Sequence, residues 1–244
     1  HVPEPEKRGK GLSMRYHYLL FDADGTLMDF DDAEHQAFQR TFQEHGLLCT
    51  ESIYHCYQQI NSGLWKEFEQ DRITKQQLLS SRFALLFEQL NLSGLDAAAL
   101  NQDYLYNLGY GSRTLPHALE TCQTLSRQGY RLYILTNGVS KTQRRRLSAS
   151  GLMPFLSDIF VSEDAGHQKP RREYFDYVFA RIPDFVPEQA LMIGDSLSSD
   201  MEGARRAGID RCWYDPEGKP LPEGLPIQYR IRSLDELPKL LSQL

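Results

Sequence analysis

The fold is decided by the stretch Leu19-Leu20-Phe21-Asp22-Ala23-Asp24-Gly25-Thr26-Leu27. An apolar run ends there in two carboxylates two residues apart, and a glycine suited to a turn follows. The pattern predicts a buried strand that carries acidic side chains to one edge of a sheet. Paired carboxylates at such an edge can hold a divalent cation and divide nucleophilic attack and proton transfer between them. An ordinary Asp-Gly turn has the same local signature, so a functional interpretation of these acids depends on other parts of the sequence.

The composition is that of a soluble globular protein, with 244 residues, 41% hydrophobic and 25% charged. No apolar run is long enough to cross a bilayer and no secretory signal is visible, so we expect a cytoplasmic protein without a membrane partner. The four cysteines form no C-x-x-C pair and no zinc spacing, which favours reduced thiols. The net charge of −6 argues against a nucleic acid polymer as partner. An anionic substrate would therefore need local positive charge from a metal or a lysine.

Two segments stand apart from the rest of the chain. Residues 1–13 are polar, with no apolar periodicity, and we expect a disordered or non-native tail followed by a native start at Met14. Residues 29–110 show helical patterns and no strand signal; Phe83, Leu86 and Phe87, for example, share one helix face. This segment is too long for a loop. We predict that it is an all-helical domain, named here the helical insert.

From Arg113 onward, helices and short apolar strands alternate, which predicts an α/β fold with a parallel sheet covered by helices on both faces. Ser199-x-x-Glu202 and Ser233-x-x-Glu236 are candidate capping boxes at the starts of two helices. Strands are predicted at residues 16–21, 131–135, 159–161, 190–193, 212–214 and 228–231.

Polar groups follow four of these strands, at the sheet edge where ligands of such folds bind. Each group alone could be a turn, a helix cap or a solvated loop. Their order and placement together favour one chemical site. The groups are Asp22 with Asp24, Thr136-Asn137-Gly138, Gln168-Lys169-Pro170, and Gly194-Asp195-Ser196 with Asp200.

This set resembles the haloacid dehalogenase (HAD) superfamily: D-x-D-G-T-L, a Thr after an apolar strand, K-P, and G-D-x-x-x-x-D. The resemblance extends from about Tyr16 to the end of the chain, and the helical insert is similar to the C1-type cap of that family. It implies a Rossmann-like parallel-sheet core formed by residues 14–28 and 111–244, with residues 29–110 as the cap.

The resemblance also implies roles for the polar residues. Asp22 would attack phosphorus to give an aspartyl phosphate, and Asp24 would act as general acid and then base. Thr136, Asn137 and Lys169 would bind the phosphate. The metal would be Mg²⁺, held by Asp22, Asp24 through its backbone carbonyl, Asp195 and Asp200. The second carboxylate, Asp24, favours phosphoryl transfer over dehalogenation.

Part of the helical insert resembles the pyrimidine 5′-nucleotidase branch of the superfamily. The fragments are Asn61-Ser62-Gly63-Leu64-Trp65, Ile73-Thr74 and Arg82-Phe83. Trp65 offers a face on which a base could stack, and Asn61 could read the edge of that base. Asn61, Trp65 and Arg82 are therefore the predicted specificity residues, although a tryptophan in a helical segment is also typical of a core.

The leading interpretation is a Mg²⁺-dependent phosphatase acting on a small phosphorylated metabolite, most specifically a nucleoside 5′-monophosphate, as a monomer or weak dimer. A sugar-phosphate phosphatase or a phosphoglucomutase is the alternative within enzymes. A non-catalytic binding protein on the same scaffold is the distant alternative, and the full acid set (Asp22, Asp24, Asp195 and Asp200) together with Lys169 argues against it.

Overall fold

The structure is a computed structural model that describes residues 14–244, so the prediction for residues 1–13 lies outside the described part of the chain. Within that part, no helix has the length and apolar character needed to span a membrane.

Six parallel strands form one sheet in the order β3-β2-β1-β4-β5-β6. The first strand, β1, therefore lies inside the sheet, between β2 and β4. The strands are β1 (Tyr18–Phe21), β2 (Arg131–Thr136), β3 (Leu156–Val161), β4 (Ala190–Gly194), β5 (Asp210–Tyr214) and β6 (Tyr229–Ile231). The parallel α/β class predicted from the alternating pattern is confirmed.

The helices connect these strands and build the insert. A π-helical turn, Leu197–Met201, leads directly into α9. The helices are α1 (Phe30–Glu44), α2 (Glu51–Glu69), α3 (Lys75–Gln89), α4 (Ala97–Leu108), α5 (Ala118–Arg127), α6 (Ser140–Ser150), α7 (Ser162–Ala165), α8 (Arg172–Phe179), α9 (Glu202–Ala207) and α10 (Glu236–Ser242).

An apolar layer covers each face of the sheet. Leu125 of α5, Leu147 of α6 and Leu237 of α10 pack against one face, and residues of α8 and α9, such as Phe175 and Ala204, pack against the other. Alternate residues of each strand supply the two layers, because neighbouring side chains of a strand point to opposite faces. Burial on both faces explains why the central strands β1 and β4 consist of apolar residues and one glycine.

The helical insert has a core of its own. Its four helices, α1–α4, surround a cluster of aromatic rings that includes Phe38, Tyr57, Phe83 and Tyr104. The absence of strands in residues 29–110 is confirmed. The assignment of this segment as a separate domain stays a prediction.

One local prediction is wrong. Ser199 does not cap a helix; Ser196 does, because its side chain accepts a hydrogen bond from the Ser199 backbone N–H at 3.1 Å and the π-helical turn begins at once. At the last helix, Glu236 accepts from the backbone N–H of Ser233 at 2.6 Å, so the second box is half formed.

Candidate active site

The sheet order brings the motifs together. Because β1 lies between β2 and β4, with Phe21 in register with Ile134 and Ile193, the residues that follow these strands meet at one edge. Asp22 follows β1, Asp195 follows β4, and Thr136 is the last residue of β2. Lys169 reaches the same place from the loop after α7. The structure thus brings the core residues predicted from the motifs into one cleft.

Three carboxylates form a cluster at this edge of the sheet. Asp22, Asp195 and Asp200 each offer an oxygen atom, and these atoms lie within 4.8 Å of one another. Asp22 and Asp200 are buried, whereas Asp195 is partly exposed. Three acids this close cannot all stay ionised without positive charge nearby.

Lys169 supplies part of that charge. Its Nζ donates to Asp22 Oδ1 at 2.8 Å, to Asp200 Oδ1 at 2.8 Å and to the Leu135 carbonyl at 2.7 Å. All three ammonium hydrogens are therefore used, and the lysine side chain is 2% exposed. The loop that carries it is fixed by Asn137, whose side chain bonds the backbone N–H and carbonyl of Lys169 at 2.9 and 3.0 Å.

The pKa values reflect burial of these charges. Burial raises the pKa of Asp22 to about 7 despite its ion pair with Lys169, and raises the pKa of Asp195 to about 6 and that of Asp200 to about 7. Burial also lowers the pKa of Lys169, but the adjacent carboxylates outweigh it and leave that pKa above its ordinary value. The lysine therefore stays charged, whereas the three carboxyls hold their protons to a higher pH than free carboxyls do.

Two glycines allow the acids to approach so closely. At Gly25, whose φ is +82°, a Cβ atom would lie 2.9 Å from Asp195 Cγ, and at Gly194 it would lie 2.5 Å from Asp200 Cγ. Thr26 completes the frame: its hydroxyl donates to Asp195 Oδ1 and accepts from the Asp195 backbone N–H, both at 3.1 Å. The sequence motifs contain these residues, but the reason for them is visible only in the structure.

Asp24 has partners that the motifs did not reveal. Arg146 donates to its Oδ1 at 2.6 Å, and Gln143 donates to its Oδ2 at 2.9 Å. The same Gln143 amide donates to Thr136 Oγ1 at 2.8 Å. Both residues lie on α6, where the run Arg144-Arg145-Arg146 looks like a solvated helix face; only the burial of Arg146, 1% exposed, distinguishes it.

Two cavities meet in the cleft. The smaller, about 210 Å³, contains Asp22, Asp24, Thr136 and Lys169. The larger, about 820 Å³, extends beneath the helical insert. Both are lined by Phe30, Trp65, Glu69, Asp195 and Ser196. A molecule whose reacting group sits in the smaller cavity can therefore extend into the larger one.

The predicted specificity residues occupy different positions. Trp65 is partly buried and lines both cavities. Asn61 borders the larger cavity, yet it is 2% exposed and its amide already donates to Glu34 at 3.0 Å. Arg82 is not brought to the cleft: it lies in the core of the insert and donates to Asn61 at 3.3 Å and Asn101 at 2.7 Å.

The helical insert contacts the loops at this edge of the sheet directly. Lys75 donates to the backbone carbonyls of Asn137 and Gly138, and burial lowers its pKa to about 8. Ser198 donates to Glu69 at 2.8 Å, and Gln168 donates to the Phe68 carbonyl at 2.8 Å. The insert is thus held against the loops that follow β2, β3 and β4.

The donor set fits a hard divalent cation. The three clustered acids offer only oxygen, and within the described residues no thiolate or imidazole belongs to this cluster. Oxygen ligands suit Mg²⁺, Ca²⁺ or Mn²⁺ rather than zinc or copper.

Comparison with known proteins agrees with this arrangement. A family model for haloacid dehalogenase-like hydrolases matches residues 16–208. The chain belongs to this family. It is an enzyme, a HAD-like phosphatase, and the predicted family and fold class are confirmed.

Similar sequences extend over nearly the whole chain. YfnB of Bacillus subtilis, named a HAD-hydrolase, is 44% identical over 93% of this chain and 96% of its own. The pyrimidine 5′-nucleotidase PynA of Streptococcus pneumoniae is 38% identical over 83% and 85%, and the pyrimidine 5′-nucleotidase YjjG of Escherichia coli is 31% identical over 93% and 99%. A crystal structure of YfnB bound to magnesium superposes with a TM-score of 0.87, at 43% identity, over 93% of this chain and 99% of YfnB.

Proposed function

We propose that this phosphatase hydrolyses nucleoside 5′-monophosphates, with Mg²⁺ as cofactor and Asp22 as the nucleophile. The observation that carries the proposal is the pair of joined cavities, one with the phosphoryl-transfer residues and one whose lining combines aromatic rings with several carboxylates. The chemistry follows from the first cavity and the substrate class from the second.

Asp22 would attack phosphorus. Its Oδ1 is held by Lys169, which leaves Oδ2 without a hydrogen bond from that lysine. Attack by a carboxylate on a phosphate dianion is opposed by charge repulsion, so the ammonium of Lys169 at 2.8 Å lowers the barrier. The P–O bond to the alcohol breaks as the Asp22–phosphorus bond forms, giving an aspartyl phosphate.

Asp24 would act as general acid and then as general base. It lines the same cavity as Asp22 and is partly exposed, so a leaving oxygen or a water can reach it. It would protonate the leaving alkoxide in the first step. In the second it would take a proton from the water that attacks phosphorus and regenerates Asp22.

The phosphoryl oxygens would be held by the loop after β2 and by Lys169. Thr136 contributes its hydroxyl; the side chain of Asn137 is used by Lys169, so Asn137 would contribute its backbone N–H. Asp22, Asp195 and Asp200, with the Asp24 carbonyl, would hold the Mg²⁺. When bound, the cation neutralises charge that develops on the transferring group.

The charges of the larger cavity select the leaving group. The larger cavity is lined by four acidic residues, Asp31, Glu34, Glu69 and Asp195. Among the described residues that line it, Lys66 is the one lysine or arginine. A second phosphate or a carboxylate on the substrate would meet this negative field and be repelled. An uncharged leaving group is favoured, and nucleosides are uncharged.

The aromatic rings favour a planar leaving group. Phe30 and Trp65 lie where the two cavities join, so a base attached to a bound phosphate would come within their reach. The nucleotidases PynA and YjjG, at 38% and 31% identity, support the same substrate class. Asn61 would act at the edge of the base, and Arg82 only through Asn61.

The acidic cavity also bears on the alternatives. A phosphoglucomutase passes through a sugar bisphosphate, whose second phosphate would have to occupy this negative region. A phosphatase for neutral monophosphorylated sugars fits the charges but makes no use of Phe30 and Trp65. The complete acid set with Lys169 argues against a non-catalytic binding protein.

A substrate panel with Mg²⁺ and with EDTA tests the proposal. The panel is UMP, CMP, dTMP, AMP, ribose 5-phosphate, glucose 6-phosphate, fructose 1,6-bisphosphate and phosphoserine. We expect kcat/KM for the pyrimidine monophosphates to exceed that for ribose 5-phosphate at least tenfold, with little turnover of the bisphosphate. Equal rates for ribose 5-phosphate and UMP, or preference for an anionic leaving group, would contradict it.

A further inference from the structure

Arg146 and Gln143 form a hydrogen-bonded network that reaches both Asp24 and Thr136. Arg146 donates to Asp24 Oδ1 at 2.6 Å and, through the same nitrogen, to Gln143 Oε1 at 2.8 Å. Gln143 Nε2 donates to Asp24 Oδ2 at 2.9 Å and to Thr136 Oγ1 at 2.8 Å. Each oxygen of the Asp24 carboxyl therefore accepts a hydrogen bond from α6, and a second lone pair on each remains for a proton.

The network also fixes the direction of the Thr136 hydroxyl. Its oxygen accepts from Gln143 at 2.8 Å and from the Gly138 backbone N–H at 3.2 Å. A hydroxyl oxygen has two lone pairs and one hydrogen, so two donors leave only its own O–H to bond elsewhere. That hydrogen is then available to a phosphoryl oxygen in the cavity that Thr136 lines.

Arg146 has further contacts that fix its side chain, besides the one with Asp24. Its Nε donates to the Gly111 carbonyl at 2.8 Å, where the chain returns from the helical insert, and its guanidinium lies 5.9 Å from the centre of the Phe30 ring, where the chain enters it. A Cβ atom on Gly138 would lie 2.5 Å from the Gln143 side chain, so the loop after β2 is shaped to admit that side chain. Both α6 residues are buried, at 1% and 3% exposure.

We propose that Arg146 and Gln143 are positioning residues, Arg146 orienting Asp24 for proton transfer and Gln143 both orienting Asp24 and turning the Thr136 hydroxyl toward the phosphate. The proposal rests on the phosphatase mechanism above, though not on the nucleoside as leaving group. It assigns to α6 a part in catalysis although neither side chain lines the cavity that contains Asp22.

The two residues have separable consequences. Proton transfer by Asp24 matters for a poor leaving group such as an alkoxide and little for an activated aryl oxide. Loss of Arg146 should therefore slow attack on an alkyl phosphate selectively. Loss of Gln143 should slow attack on both substrates, because Thr136 binds the phosphate of either.

The experiment compares Arg146→Lys and Gln143→Met with Arg144→Lys, an exposed arginine on the same helix. kcat/KM, which reports the phosphoryl transfer step, is measured for 4-nitrophenyl phosphate and for whichever alkyl monophosphate the wild type turns over best. For Arg146→Lys we expect at least a tenfold loss on the alkyl phosphate and less than threefold on the aryl phosphate. Gln143→Met should lose at least fivefold on both, and Arg144→Lys should match the wild type.

The Asp24→Asn background separates positioning from folding. If Arg146 acts through Asp24, adding Arg146→Lys to Asp24→Asn should cause no further loss on the alkyl phosphate. A loss that persists in that background, equal losses of kcat/KM on both substrates for Arg146→Lys, or no loss at all would overturn the proposal. Asp24→Asn that shows no leaving-group dependence by itself would instead overturn the mechanism on which the proposal rests.

Discussion

Replacing Lys169 by methionine removes the positive charge of the site and nearly preserves the shape of the side chain. In the wild-type protein this ammonium contacts Asp22 and Asp200 and is 2% exposed. Without it, three carboxylates remain within 4.8 Å of one another with no cation among them. We expect a large loss of activity and, without metal, a large loss of stability.

The size of each loss follows from burial. Removing one partner of a buried ion pair costs roughly 3–5 kcal/mol, because the other charge is left uncompensated. For a chain of this size this corresponds to a fall in Tm of roughly 6–20 °C. Removing a preorganised positive group that faces the developing charge costs roughly 10²–10³ in kcat.

The loss of Tm in Lys169→Met should depend on pH and on bound metal. The pKa values of Asp22 and Asp200 are already about 7, and loss of Lys169 raises them further, so at pH 6 the acids take up protons and the loss of Tm is smaller than at pH 8. Mg²⁺ should return part of the lost Tm by supplying the missing positive charge.

The assay is a thermal melt of Lys169→Met at pH 6 and pH 8, with Mg²⁺ and with EDTA, together with kcat on the best substrate. Lys141→Met, which removes an exposed lysine from α6, is the control and should behave like the wild type. Activity within tenfold of the wild type, or a Tm loss independent of pH, would refute the reasoning from buried charge.

Further predictions concern the nucleophile, the metal and the tryptophan. Asp22→Asn should abolish turnover while its Tm in EDTA at pH 8 equals or exceeds that of the wild type, since a costly buried charge is gone; a lower Tm would contradict the raised pKa of Asp22. Because the pKa values of Asp22, Asp195 and Asp200 in the folded protein exceed that of a free carboxyl, the metal-free fold binds extra protons, and its stability falls as pH rises through about 6 to 7. Mg²⁺ must displace those protons, so its affinity by calorimetry should weaken roughly tenfold per pH unit per proton below that range; pH-independent affinity would exclude these acids as the ligands. Trp65→Ala should lower kcat/KM for UMP roughly tenfold to a hundredfold, from about 1–3 kcal/mol of stacking, and leave 4-nitrophenyl phosphate nearly unaffected, with Trp65→Phe as the partial rescue. Equal losses on both substrates with a large fall in Tm would show that Trp65 is a core residue.

The sequence predicted which core residues would meet at the sheet edge, because each motif is short and lies at the end of a strand or in the loop region that follows one. A parallel sheet sends all such strand ends to one edge, so Asp22, Thr136, Lys169 and Asp195 had to be neighbours once the fold was given. Order along the chain was therefore enough, and no long-range contact had to be guessed.

The remaining site residues depend on long-range contacts that no local pattern encodes. Arg146 is the third arginine of a run, and only the packing of α6 against Asp24 and Gly111 shows which arginine points inward. Asn61 and Arg82 were both predicted as specificity residues, and only the structure shows that Arg82 lies in the core of the insert and donates a hydrogen bond to Asn61. No sequence pattern indicates that Glu34 is a site residue, because only the fold shows that α1 brings it to the larger cavity.

The central claim is that phosphate passes through Asp22, and a burst experiment with Asp24→Asn tests it most directly. An activated aryl phosphate needs no acid for its attack by Asp22, but hydrolysis of the resulting phosphoenzyme needs a base. Mixed rapidly with 4-nitrophenyl phosphate and Mg²⁺, the variant should release one nitrophenol per enzyme and then stall. Acid quenching and peptide mass spectrometry should find the phosphoryl group on Asp22. Steady release without a burst, or phosphate on any other residue, would contradict the account.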